Sequence, residues 1–280
     1  MSTLSVWIDE SEKDDLLAVG GILVEWGKVL EVVGGWRDMK TGLNLNSWDE
    51  VKWTLPTKHK TRSLLEESGR KTRELSERAI EYISNQDMLS IVVGLMRDQR
   101  NINIWKKIWS KASVRDFYCE GLKYVLQRAV EEVVESNANG CVVICDTPSL
   151  GKQEFSMGSI KRGNKAVELK YLDWYNTGVG ERPGGNKYGS LQEIGFHPSI
   201  LIGDATYHDM LQIADVVVGA TRSWAANVIC KKDDDWLINQ MNKLCTKFRS
   251  RCGKPGFWGD GLTLHPRNEE LWQNLKQSLK

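Results

Sequence analysis

Four carboxylates stand at places in this chain where an unpaired charge would be costly and where oxygen ligands for a cation would be useful: Asp9, Glu50, Asp146 and Asp215. Asp9 follows Leu4 to Ile8, an apolar, β-rich run that passes straight into Asp9-Glu10-Ser11. Asp146 ends the run Cys141 to Cys145, Glu50 lies in Trp48-Asp49-Glu50-Val51-Lys52-Trp53, and Asp215 interrupts an apolar helical stretch. An isolated carboxylate at the end of a central strand costs on the order of several kcal/mol unless a cation, a donor network or water meets it. Hard divalent cations such as Mg2+ or Mn2+ take carboxylate and water oxygens, and carboxylates converging on one sheet edge are what two-cation hydrolysis of a phosphodiester requires. One cation would activate the attacking water and the other the leaving oxygen, with Asp9 shared between them. Lys52 would stabilise charge on the pentavalent phosphate or pair with Glu50. The alternative for Asp9 is a solvated strand end leading into the acidic turn Glu12-Lys13-Asp14-Asp15.

These residues need elements to position them. Leu16 to Val24 and Lys28 to Val33 read as two strands joined by a tight Gly-containing turn, so an antiparallel three-stranded meander is expected, with the Asp9 strand first. Residues 37 to 62 read as irregular, and Ser63 to Asn85 as one long surface helix. Met88 to Met96 has strand character and ends in Arg97-Asp98; Val114 to Ser136 has helical periodicity; Cys141 to Cys145 is a strand again. Strand, helix and strand in that order predict a crossover unit with parallel neighbouring strands, which brings Asp98 and Asp146 to the same edge of the sheet. Asp98 is therefore held in reserve for Asp146, and Glu10 and Gln212 are further secondary candidates. Gln212 precedes Asp215 by about one helical turn and would orient a carboxylate, contact substrate, or be a satisfied buried amide.

From residue 147 to 190 the pattern breaks into Gly-rich, basic sequence carrying Lys152, Lys161, Arg162, Lys165, Lys170, Arg182 and Lys187. Such a loop would hold nucleic acid by its phosphates, or is a solvated insertion. A helix from about Asp209 to Asn227 follows, with Asp204 and Thr206 as candidate entry caps. The tail from 231 to 280 reads as a helical extension of the same domain and shows no chemistry. His197 and His208 stand alone and read as hydrogen-bonded rather than ligating residues.

The balance of 38 basic against 37 acidic residues leaves a net charge of +1, so affinity for nucleic acid must come from local clustering. Six cysteines without a CxxC pair argue for a reducing cytoplasm and against structural zinc. There is no basic-then-apolar leader at Met1 and no apolar run of roughly eighteen residues, so neither secretion nor a membrane partner is expected. Of twelve tryptophans, Trp7, Trp48 and Trp53 lie beside the acids and could wall a site.

Taken together, Ile8-Asp9-Glu10-Ser11, the Glu50-Val51-Lys52 group, the strand ending at Asp146 and the helix Leu211-Gln212-Ile213-Ala214-Asp215 resemble the DUF3800 family over roughly residues 4 to 228. The resemblance implies an α/β, ribonuclease-H-like fold over residues 1–230, an antiparallel meander extended by parallel strands with helices on both faces. It also implies a metal-dependent nuclease, with Asp9, Glu50, Asp146 and Asp215 matching the acidic set. The chain departs from the family pattern at Glu12, where a glycine is usual, and at Asp204 to His208, where a serine-containing run is more common. The expectation is an Mg2+- or Mn2+-dependent hydrolase of RNA or DNA. Its rivals are a catalytically silent member that binds nucleic acid or protein, and a metal-dependent enzyme of small phosphorylated molecules. Self-association or a protein partner is left open.

Overall fold

The computed structural model describes residues 2–13, 16–97, 111–146, 157–180, 188–232, 234–251, 256–265 and 268–279. A six-stranded mixed sheet is built from β1 (Leu4–Lys13), β2 (Leu16–Glu25), β3 (Leu89–Arg97), β4 (Cys141–Asp146), β5 (Leu201–Gly203) and β6 (Leu262–His265), in the order β5-β4-β1-β2-β3-β6. β1, β2 and β3 are successively antiparallel, β4 and β5 run parallel to β1, and β6 runs parallel to β3. β2 is buried from Leu16 to Val24 because helices cover the sheet on both faces, which is why that run is continuously apolar and not alternating.

One face carries Trp7, Ala18, Ile22, Val93 and Ile144 and packs under the long helix α6 (Asp209–Ile229). Around α6 stand α1 (Val29–Gly42), α2 (Lys60–Glu67), α3 (Thr72–Ser84), α7 (Asp235–Cys245) and α8 (Glu269–Ser278). The other face carries Val6, Ile8, Val19, Val92, Val143 and Cys145 under α4 (Lys111–Glu135) and α5 (Met157–Thr177). Among the described residues no helix is long and apolar enough to cross a membrane.

Several expectations change. The third meander strand is Leu89–Arg97; Lys28 to Val33 instead enters α1 through a 3-10 turn at Trp26–Lys28. The valines there favour a strand locally, but Val32, Trp36 and Lys40 recur every fourth residue and are buried on one helical face, and that tertiary burial wins. Gly20 and Gly21 lie within β2, where a Cβ on Gly21 would lie 1.8 Å from the Trp7 carbonyl oxygen, so they permit close approach of strands. The Ser63 to Asn85 run is two helices, broken at Gly69, whose φ of +74° suits glycine. β3 and β4 run in the same direction but are not neighbours, because β2 and β1 lie between them. The 147 to 190 segment holds the helix α5 and is not structureless. The tail supplies the edge strand β6 as well as helices.

Candidate functional site

The parallel ladder between β1 and β4 runs from Leu4 opposite Cys141 to Ile8 opposite Cys145, so Asp9 and Asp146 stand at its next rung. β1 itself continues past Asp9 to Lys13 along β2, so Asp9 lies within a strand and not at its end. Side chains alternate across a sheet, and Trp7 and Ile144 face α6. Asp9 and Asp146, two residues further on each strand, face it as well, and α6 brings Asp215 to them. Glu10, one residue out of phase, faces the other side, where its charge acts on Tyr118 and Cys145.

Glu50 and Lys52 come from the segment between α1 and α2. Its backbone is fastened to α6 at two points: Val51 N–H donates to Gln212 Oε1 at 3.2 Å and Trp53 N–H to Asp215 Oδ2 at 2.6 Å. Asp49 holds the turn before it, accepting from Asn46 N–H at 2.7 Å and Lys60 Nζ at 2.7 Å. Glu50 and Lys52 then fall on the same side and pair at 2.9 Å. The start of α6 is itself anchored to α1, where the fully buried Lys40 donates to Asp209 at 2.6 Å. His208 is the residue before the helix; Asp204 accepts from Thr206 N–H instead of capping it.

Gln212 is a satisfied buried amide. It accepts from Val51 N–H and Trp36 Nε1 and donates through Nε2 to Ala205 O at 3.0 Å. Ala205 N–H in turn donates to Asp146 Oδ1 at 3.1 Å. One amide thus sets the loops that carry Glu50 and that meet Asp146, without touching either carboxylate.

The charges do not cancel. Burial, then the charges of Asp215, Glu10 and Asp146, push the Asp9 carboxyl well above the usual carboxylate range against a 2.7 Å bond from Glu10 N–H. Asp215 is pushed up to about 6, chiefly by burial, with Asp146 and Glu50 adding to it and Trp53 N–H and Lys52 opposing. Burial would lower Lys52, but Glu50, Asp215 and Asp9 together hold its ammonium above the usual range. Lys52 thus answers only part of the negative charge. The donor set is all oxygen and suits a hard divalent cation. Among the described residues no group of three or more His, Cys, Asp and Glu side chains is already drawn in far enough to hold a metal ion.

Asp98, Lys152, Arg182 and Lys187 lie outside the described residues, and so do the side chains of Lys161 and Arg162; Lys165 and Lys170 are exposed on α5. Trp53 lies beside the site, Trp7 stacks on Trp26 with ring centroids 6.4 Å apart, and Trp48 is exposed. Three contacts escaped the sequence reading, which takes Thr206 only as a candidate entry cap. His59 Nε2 lies 3.0 Å from Glu50 Oε2, Thr206 Oγ1 donates to Glu50 at 3.4 Å, and Arg222 Nε donates to Ser11 Oγ at 3.2 Å. Arg222 had a signal: it follows Asp215 by about two helical turns and so shares its face. The other two depend on loop geometry that spacing does not encode.

Comparison of the chain with family models, with curated proteins and with solved structures finds no match.

Proposed function

We propose that this protein is an Mg2+- or Mn2+-dependent nuclease that hydrolyses phosphodiester bonds where the β1–β4 ladder ends. One observation carries the reading. Asp9, Asp146 and Asp215 come from distant parts of the chain and meet on one face, where the charges of Asp215 and Asp146 add to burial in raising the Asp9 carboxyl and that of Asp146 adds to burial in raising Asp215. A buried cluster of like charge is destabilising unless a cation joins it. The antiparallel β1-β2-β3 meander continued by parallel β4 and β5, with helices on both faces, supports a ribonuclease-H-like reading, as does the resemblance to the DUF3800 family. In that reading the second acid belongs on the strand beside β1, which favours Asp146 over Asp98.

Asp9, Glu50, Asp146 and Asp215 would hold the cations. When bound, these supply Lewis-acid activation of water and stabilisation of the leaving oxygen. Lys52 keeps its proton on Nζ and presents it toward the phosphate, its ammonium stabilised by the same acids. Trp53 N–H fixes the orientation of Asp215, and Gln212 fixes the segments on either side. The free thiols of Cys119, Cys141 and Cys145 support a reducing compartment such as the cytoplasm.

Labelled RNA, DNA and hybrid duplexes incubated with Mg2+, Mn2+ or chelator test this, with Asp9→Asn and Asp215→Asn as controls. Cleavage that needs the metal and both acids is expected; cleavage surviving in both variants overturns the mechanism. The rival reading is a silent nucleic-acid-binding protein. Salt-sensitive binding without cleavage would select it.

A further inference from the structure

A cavity of ≈ 470 Å³ lies between α3, α6 and α7, lined in part by Lys52, Trp53, Arg73, Arg222, Asp234 and Trp236. That is within the range of small-ligand sites. Lys52 belongs both to this cavity and to the carboxylate cluster, so the two adjoin.

Its lining combines positive charge with flat aromatic surface. Asp234 is the acid among the lining residues, and it is engaged in structure: it accepts from Leu237 N–H at 3.1 Å, capping α7, and from Asn227 Nδ2 at 3.4 Å. Lys52, Arg73 and Arg222 supply the cations of the wall, each of them already engaged: Lys52 with Glu50 at 2.9 Å, Arg73 with Glu77 and Arg222 with Ser11. The two indoles stack with centroids 5.8 Å apart and planes within 18°. Each is pinned, Trp53 Nε1 to Ser223 Oγ at 2.8 Å and Trp236 Nε1 to Glu77 at 2.6 Å. Gly219 lets Trp53 lie against α6, since a Cβ there would come within 2.5 Å of the Trp53 Cβ. The Arg73 guanidinium sits 4.6 Å from the Trp236 ring centroid, and its ion pair with Glu77 at 3.5 Å is an exposed, weak one. A pinned aromatic pair with a guanidinium laid over the Trp236 ring, and further cations beside it, matches a ligand with a planar π-face that stacks on the guanidinium plane and with a phosphate.

We propose that this cavity binds one nucleotide of a single-stranded oligonucleotide, the base against Trp236 and Arg73 and the phosphate toward Lys52 and Arg222. Placing that nucleotide next to the scissile phosphate rests on the nuclease reading; the binding itself does not.

The test is anisotropy of a fluorescein-labelled, 5′-phosphorylated trinucleotide, in DNA and RNA form, titrated with the full chain in chelator so that nothing is cut. Arg73→Ala and Trp236→Leu are each expected to raise Kd about tenfold, as loss of a stacking partner does. Arg78→Ala, on the same helix but outside the cavity, changes it less than about twofold in this scheme. Arg73 is mostly exposed, so its variant remains informative if Trp236→Leu fails to fold. Unchanged binding by folded Arg73→Ala and Trp236→Leu overturns the proposal. Thymidine monophosphate, which carries the one base and one phosphate the cavity holds, is expected to compete with the trinucleotide; no competition at saturating concentration also overturns the proposal. Weakened binding in Arg73→Ala alongside metal-dependent cleavage that survives Asp9→Asn and Asp215→Asn would leave this site standing and remove only the nuclease mechanism.

Discussion

Asp9 and Glu131 are carboxylates with almost the same small exposure, 6% and 5%, Asp9 the more deeply enclosed, and their surroundings drive their proton affinity in opposite directions. Around Glu131, on α4, burial alone would raise the carboxyl, but Arg128, Tyr188 and Arg251 hold it below the usual range. Arg128 lies at 2.8 Å and Tyr188 Oη at 2.8 Å, and Arg251 also pairs with it. Arg249, almost wholly buried, reaches Glu131 and also Glu132 at 2.8 Å and Glu135 at 2.6 Å. That network clamps residues near the end of the chain onto a central helix. Around Asp9 the neighbours are further acids, and Lys52 is the ammonium that answers them. Two buried carboxylates, one matched and one not, separate a group that serves stability from one that needs something added.

The largest expected effect breaks the unmatched side. Asp9→Asn or Asp215→Asn should lower metal-dependent cleavage by at least about 10³-fold, roughly 4 kcal/mol of transition-state stabilisation, in single-turnover assays. The matched side should fail differently. Arg249→Met takes a shared partner from Glu131, Glu132 and Glu135, of which Glu131 keeps Arg128, Arg251 and Tyr188, and should cost about 2 kcal/mol in urea unfolding, with cleavage by the folded fraction retained. Lys52→Met should cost about 10- to 100-fold in kcat with a smaller change in KM, because its charge is needed most as charge develops on the phosphate. A loss confined to KM would reduce Lys52 to a docking contact.

Smaller effects sharpen the contrast. In chelator, Asp9→Asn should raise stability by on the order of 1 kcal/mol, since it removes a buried repulsion. Mn2+ should raise the Tm of the unmodified protein and not that of the variant. The pH profile of the metal-free protein should have two limbs. Raised carboxyls such as that of Asp215, at about 6, penalise folding when ionised, so stability should climb as pH falls from neutrality through that value. Glu131, lowered in the fold, contributes stability that is complete above its unfolded pKa near 4.5 and is lost as pH falls through its folded value. Asp215→Asn should flatten the first limb and Glu131→Gln the second in Tm measured against pH.

Much of the site was legible because its acids sit on elements with strong local signals. β1, β4 and α6 each announce themselves by an apolar run that ends in, contains or is interrupted by an aspartate. What local pattern hides is partnership. α1 carries strand-favouring valines and becomes a helix only because Trp36 and Lys40 bury against α6. β6 is four residues long and exists because β3 offers an edge to pair with. The arginines at 249 and 251 look like an ordinary basic patch until α4 lines up Glu131, Glu132 and Glu135 opposite them. Glu10 shows the reverse error: adjacent to Asp9 in the chain, it is sent to the far face by the pleat.

Directly across the hairpin rung from Asp9 stands Gly20. Even a methyl group there would meet the Val92 carbonyl oxygen at 2.4 Å, so enlarging this residue means displacing β3. The bare flank of the acid is therefore guarded by the integrity of the sheet. A library randomised at that position would be filtered first by folding, before any assay of chemistry could see it.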